Sequence, residues 1–196
     1  MANLENLKSA VEKKSGQKPV SFNLEELRSL LGFKVVGSMR ENGFHPSIIA
    51  GLQGFNDKLE ALLGNPDGSE YLTSLTAKEN FWASGIIVFS FDSIKKQLHE
   101  LEPGAILFRH GYLPIAASAD NEIVCFHWPA NQVVWTGHTV FCEDFFSFKN
   151  PVTNWELLPL TAENISKALV PLATNLKCFL SDMLDDKFEK PFAKLN

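Results

Sequence analysis

The side chains of this chain best suited to metal binding or covalent chemistry fall in its second half: Cys125, His127, His138 and Cys142. Thiolate and imidazole suit tetrahedral zinc, and Cys125 and His127, two residues apart, would share one face of a strand. Their spacing matches none of the common zinc motifs. The simpler reading makes Cys125 a small core residue and the two histidines ordinary sheet or loop residues. Cys142, His138 and Asp144 supply a thiol, a base and a carboxylate, the ingredients of nucleophilic catalysis, but most proteins contain such a set. The chain has no Gly-x-Ser-x-Gly elbow, no phosphate-binding glycine loop and no His-Glu-x-x-His helix. Asp120 and Glu122 offer paired carboxylates, yet Ala119-Asp120-Asn121-Glu122 reads more simply as a hairpin turn whose Asp and Asn bond the local backbone.

Arg109, His110, Tyr112, Trp128 and Trp135 form a different group. Arg, Tyr and Trp are the residues that most often anchor protein interfaces. Either tryptophan alone is expected to pack between sheet and helices, whereas the group together suggests an interface. No pattern in the chain calls for a cofactor.

The elements that would position these residues follow from apolar runs and turn residues. Ala105–Arg109, Tyr112–Ala116, Glu122–Trp128 and Gln132–Thr136 read as short strands separated by His110-Gly111, by Ser118, Asp120 and Asn121, and by Pro129-Ala130-Asn131. Such short connections favour antiparallel pairing. Gly85–Phe89 reads as a buried strand, followed by a helix near Ser93–Leu101 capped by Asp92 or Ser93. Upstream, Leu4, Leu7 and Val11 mark an amphipathic helix stopped by Ser15-Gly16, and Asn23 caps a helix over Leu24–Leu31. Phe33–Ser38 is a candidate strand. Pro46 opens a third helix through Leu62, weakened by Gly51 and Gly54, and Gly64–Gly68 is a loop. Phe141–Trp155 is an aromatic, acidic loop or edge segment. Thr161 starts a helical region that Pro171 should divide, with Leu172 through Leu184 at core spacing in its second half and Asp182, Asp185 and Asp186 as a solvated face. The expected fold is α+β, a mainly antiparallel central sheet packed by helices, in a single domain 1–196.

With 45% hydrophobic residues and 16 phenylalanines, the chain can build a full core. A formal charge of -5 argues against a dominant role in binding nucleic acid or anionic membrane, and suits a basic protein partner. There is no signal-peptide or membrane-span pattern, and three cysteines at scattered positions do not form a disulfide framework, so the expected compartment is the cytoplasm.

Several segments resemble the SUKH superfamily, named for yeast cell-wall synthesis regulators and abundant among bacterial immunity proteins. They are Leu107-Phe108, Leu113-Pro114-Ile115-Ala116, Ile123-Val124-Cys125-Phe126 and Val133-Val134-Trp135 with His138. Leu172–Leu180 is similar to the family's closing helix. The resemblance covers the second half of the chain, so 86–186 would hold the SUKH-like core and 1–85 a helical elaboration or divergent part. It implies an α+β fold without catalytic activity, binding and neutralising a toxin. The partner surface expected on this basis joins the acidic turn at Asp120 and Glu122 to exposed aromatic area from Trp128 or Trp135, facing a basic toxin domain. The alternative is a metal-dependent or cysteine hydrolase using Cys125, His127, His138 and Cys142.

Overall fold

A computed structural model describes residues 3–35, 38–120, 122–137, 145–148 and 156–188. Its N-terminal part is helical: α1 (Leu4–Ser15), α2 (Leu24–Leu31), α3 (Ser38–Glu41), α4 (Pro46–Leu63) and α5 (Pro66–Ser74). The expected cap Asn23 is in place, and Asn3 caps α1 in the same way. Asn3 and Asn23 accept N–H bonds from Asn6 and Glu26 at 2.8 and 2.9 Å, and Glu26 answers with a bond to the Asn23 N–H, completing a capping box. Gly16 closes α1 in the left-handed conformation at φ 71°. Gly64–Gly68 is not simply a loop. Asn65 caps α5 and Pro66 occupies its first turn, where its missing N–H costs nothing.

A hairpin of β1 (Phe81–Ala83) and β2 (Ile86–Val88) follows, turning through Ser84 and Gly85, both with positive φ. This is the turn geometry that matches strand twist. Then come α6 (Phe91–His99), α7 (Gly104–Arg109), β3 (Tyr112–Ser118), β4 (Ile123–His127) and β5 (Gln132–Thr136). The chain continues through β6 (Phe145–Phe148), β7 (Glu156–Pro159), α8 (Ala162–Lys167), β8 (Val170–Ala173) and α9 (Leu176–Leu184). Six strands form one antiparallel sheet in the order β1-β2-β3-β4-β5-β8, and β6 pairs with β7 apart from it. The protein is therefore α+β with helices packed on an antiparallel sheet. β3 is buried along its whole length, so both faces of the sheet's centre are covered: α6 and α7 pack on β3, and α9 packs on β5 and β8 and meets α1. One apolar cluster runs from Leu7 to Leu184.

Four expected elements are corrected. Ala105–Arg109 is helix, not strand, held by i→i−4 bonds from Ala105 N–H to Leu101 O and from Leu107 N–H to Pro103 O, both 2.9 Å. Periodicity cannot separate helix from strand over so short an apolar run. Of the expected strand Phe33–Ser38, residues 36 and 37 lie outside the described residues, Ser38 opens α3, and Phe33–Val35 pairs with no described strand: the N–H and C=O of Phe33 bond the Asn56 side chain of α4, each at 2.8 Å. Pro171 does not divide a helix but lies in β8, an edge strand, where a proline need not donate to a neighbour. Leu172 accordingly belongs to β8, and the closing helix begins at Leu176. The cap of α6 is Ser90 rather than Asp92 or Ser93.

Candidate functional site

Cys125 and His127 do lie on one strand, β4, but with separate surroundings. Cys125 is fully buried, and burial pushes its thiol well above the usual range, the reverse of what a nucleophile needs. The His127 ring stacks on Tyr112, its register partner, at 4.1 Å and 16°, and burial holds its pKa below the ordinary value. His138, Cys142 and Asp144 lie outside the described residues. Among the described residues, no three His, Cys, Asp or Glu side chains converge as a metal site.

The expected partner surface is not assembled either. Trp128 and Trp135 are 5% and 3% exposed, so neither supplies free aromatic area. Trp128 fills the core beside Phe108, with ring centroids 5.4 Å apart, because strand and turn geometry directs it inward. Asp120 is exposed and Glu122 partly so. Both backbone N–H groups bond the Ser118 hydroxyl, at 3.2 and 3.1 Å, as a hairpin turn requires. Among the described residues the exposed tryptophan is instead Trp82, on the edge strand β1, where its burial pattern of in-out-in could be read from the alternation Phe81-Trp82-Ala83. The carboxylates at the end of α9 are largely paired within the molecule: Asp186 with Lys14, and Asp185 with Lys187 at 2.8 Å.

A cleft that no motif announced lies between α4, α6 and α7. Its volume is about 520 Å³, within the range of ligand and peptide sites. Three elements build it. Helix α4 contributes Ile48, Gly51, Leu52, Gly54, Phe55 and Lys58, while Leu98 and His99 come from the last turn of α6, and Ala105 and Arg109 from α7. The floor is aromatic: Phe33 meets His99 edge-on at 4.8 Å, and Phe55 stacks on His99 at 5.0 Å and touches Phe108 at 4.8 Å. Phe33 is fixed there by its two backbone bonds to Asn56.

Helix α4 explains why the cleft is open. Its buried residues are Phe55, Leu59, Leu62 and Leu63, all in the second half. In the first half, Pro46–Gly54, no residue is fully buried: Ile49 and Leu52 are half-buried and Ile48 is 51% exposed. From Asn42 through Asn56 the sequence contains no Asp, Glu, Lys or Arg. An exposed helical face normally carries charge, so this one is an apolar surface without a covering neighbour among the described residues.

The two charged residues that line the cleft are both positive. Lys58 and Arg109 line it, both exposed, and among the described residues neither forms an ion pair. Both act on His110: burial first, then Lys58 and Arg109, hold its pKa below the ordinary value. His99 is also held low, mainly by burial, with Lys95 adding to the effect and Glu100 and a backbone bond to Leu31 opposing it. The lining has no thiol, hydroxyl or carboxylate. Its resources are apolar contact, positive charge and the His99 imidazole.

No family model matches the chain, and comparison with curated proteins and with solved structures gives no match. The class that fold and site define is an α+β domain with an antiparallel sheet and an open apolar cleft rimmed by cations. No helix among the described residues is long and apolar enough to cross a membrane.

Proposed function

We propose that this protein is a non-catalytic protein-binding domain of the immunity-protein kind, which neutralises a bacterial toxin by engaging it through the cleft between α4, α6 and α7. The observation that carries the reading is the first half of α4, an apolar helical face that no described residue covers, beside a cleft lined by two cations without an ion pair among the described residues. Surfaces of this kind mark interaction sites, because leaving them in water forfeits about 25 cal/mol per Å² of apolar area. The toxin as partner is supported by the likeness of residues in β3, β4, β5 and α9 to the SUKH superfamily. The acidic turn at Asp120 and Glu122 sits at the far end of the seven-residue β3 from α7, roughly 20 Å along the strand, and has no exposed tryptophan from β4 or β5 beside it.

The test is protection. The product of the adjacent gene is expressed in a sensitive host with and without this protein, and complex formation is followed with the purified pair. The proposal expects rescue of growth and a stable complex. Growth arrest unrelieved by the protein, with no complex between the purified pair, would overturn it.

A further inference from the structure

We infer that the cleft takes an amphipathic helix from a protein partner, apolar along one face and bearing carboxylates at its C-terminal end. This rests on the reading of the chain as a binding domain and adds the chemistry of what it binds. Ile48, Gly51, Leu52, Phe55 and Lys58 recur on α4 at intervals of three and four residues over ten positions, about 15 Å of helix. That length accommodates roughly three turns of a second helix, and helix-in-groove recognition uses anchors at the same intervals.

Two glycines favour a helix over a looser occupant. A Cβ added at Gly51 or Gly54 would meet nothing within 4 Å, so the backbone of α4 is open along this wall. Each glycine inside a helix costs about 1 kcal/mol relative to alanine. Here that cost is offset by letting another element's side chains reach the α4 backbone closely, as small residues do wherever helices approach. The charge then sets direction. The chain carries a net charge of -5, yet the charged residues lining the cleft are Lys58 and Arg109, and Lys58 lies beyond Ile48 toward the C-terminal end of α4. A helix C-terminus carries partial negative charge, and carboxylates in its last turn would add hydrogen-bonding partners for Arg109. A membrane surface fits less well, because interfacial helices carry Lys and Arg on their polar face and Asn42–Asn56 carries none.

The test uses the full-length protein. A phage-displayed library of twelve-residue peptides is selected on the wild type and counter-selected on the double variant Lys58→Glu/Arg109→Glu. Circular dichroism first confirms that these surface changes leave the fold intact. Enriched peptides are expected to carry apolar residues at spacings of three and four, followed by Asp or Glu. Synthetic copies should bind the wild type at least tenfold more tightly than the double variant, and should weaken at least tenfold when their acids become Lys. Absence of enrichment, enrichment of basic peptides, or binding unchanged in the double variant overturns the inference. Saturable binding of dodecanoate lost in the double variant would assign the cleft to a small amphiphile instead. A dimer that dissociates on Ile48→Glu would assign it to a second copy of the chain. Protection against the toxin that survives Lys58→Glu/Arg109→Glu would remove this inference while leaving the binding function standing, so the two fail separately.

Discussion

Alanine at Gly51 and Gly54 should make the protein more stable and less able to bind. Both glycines lie inside α4, and neither Cβ would meet another atom within 4 Å, so no clash offsets the gain in helix propensity. Host measurements place that gain at about 1 kcal/mol for each Gly→Ala change, part of it from restricting the unfolded chain. The two changes together should contribute about 2 kcal/mol. For a chain of this length each kcal/mol moves the melting temperature by roughly 2 to 4 °C, so the double variant should melt about 4 to 8 °C higher. The same methyl groups stand in the cleft, where they would hold an incoming helix away from the α4 backbone. Calorimetry gives the stability and fluorescence anisotropy with a selected peptide gives the affinity. A lower melting temperature would show that the first half of α4 is not the open helix described. A higher melting temperature with unchanged affinity would show that the glycines do not form the contact surface.

Other consequences concern the core and the histidines. Phe126→Asp and Val134→Asp each place an unpaired charge in the buried sheet and should cost more than about 4 kcal/mol, abolishing a cooperative melt; wild-type-like melting of either would contradict the sheet register. The Tyr71 hydroxyl is buried without a hydrogen-bond partner among the described residues, and burial raises its pKa. Tyr71→Phe should therefore raise stability by up to about 1 kcal/mol in urea denaturation, and a loss of that size would reveal a partner for the hydroxyl. His99, His110 and His127 all have depressed pKa values caused first by burial. The unfolded chain then takes up protons near pH 6.5 while the folded one does not. Stability is full above that pH, falls as the pH drops below it, and levels off once the folded histidines have protonated. Thermal melts from pH 7.5 to 5 should show this decline, and a flat or rising profile would contradict it.

The three central strands were legible because each is a β-branched or aromatic run bounded by turn residues, and β3, β4 and β5 fall where those runs fall. The helices at Asn23, Pro46 and Thr161 were legible through the residues at their starts. What failed depends on tertiary context. Residues 105–109 are as apolar as a strand and become helix because Leu101 and Pro103 supply carbonyls one turn back. Residues 170–173 look like a helix broken at Pro171 and become strand because β5 offers a free edge. Trp128 and Trp135 have the residue type of interface anchors, but type alone does not tell which side of a sheet they face. The cleft left two traces in the sequence, the uncharged stretch Asn42–Asn56 and two glycines inside a helical pattern. Its other walls arrive from α6 and α7, some forty to sixty residues away, and no local pattern connects them.

The most direct test of the binding surface is amide hydrogen exchange on the complex with the adjacent gene's product, compared with the free protein. No side chain in the first half of α4 is fully buried, so its amides should exchange readily in the free protein and slow on binding, together with those of Arg109 and His110. Slowing at residues 46–58 and 105–110, lost in the Lys58→Glu/Arg109→Glu variant, is the predicted result. Slowing confined to the turn around Asp120 and Glu122, or no change anywhere, would contradict the account.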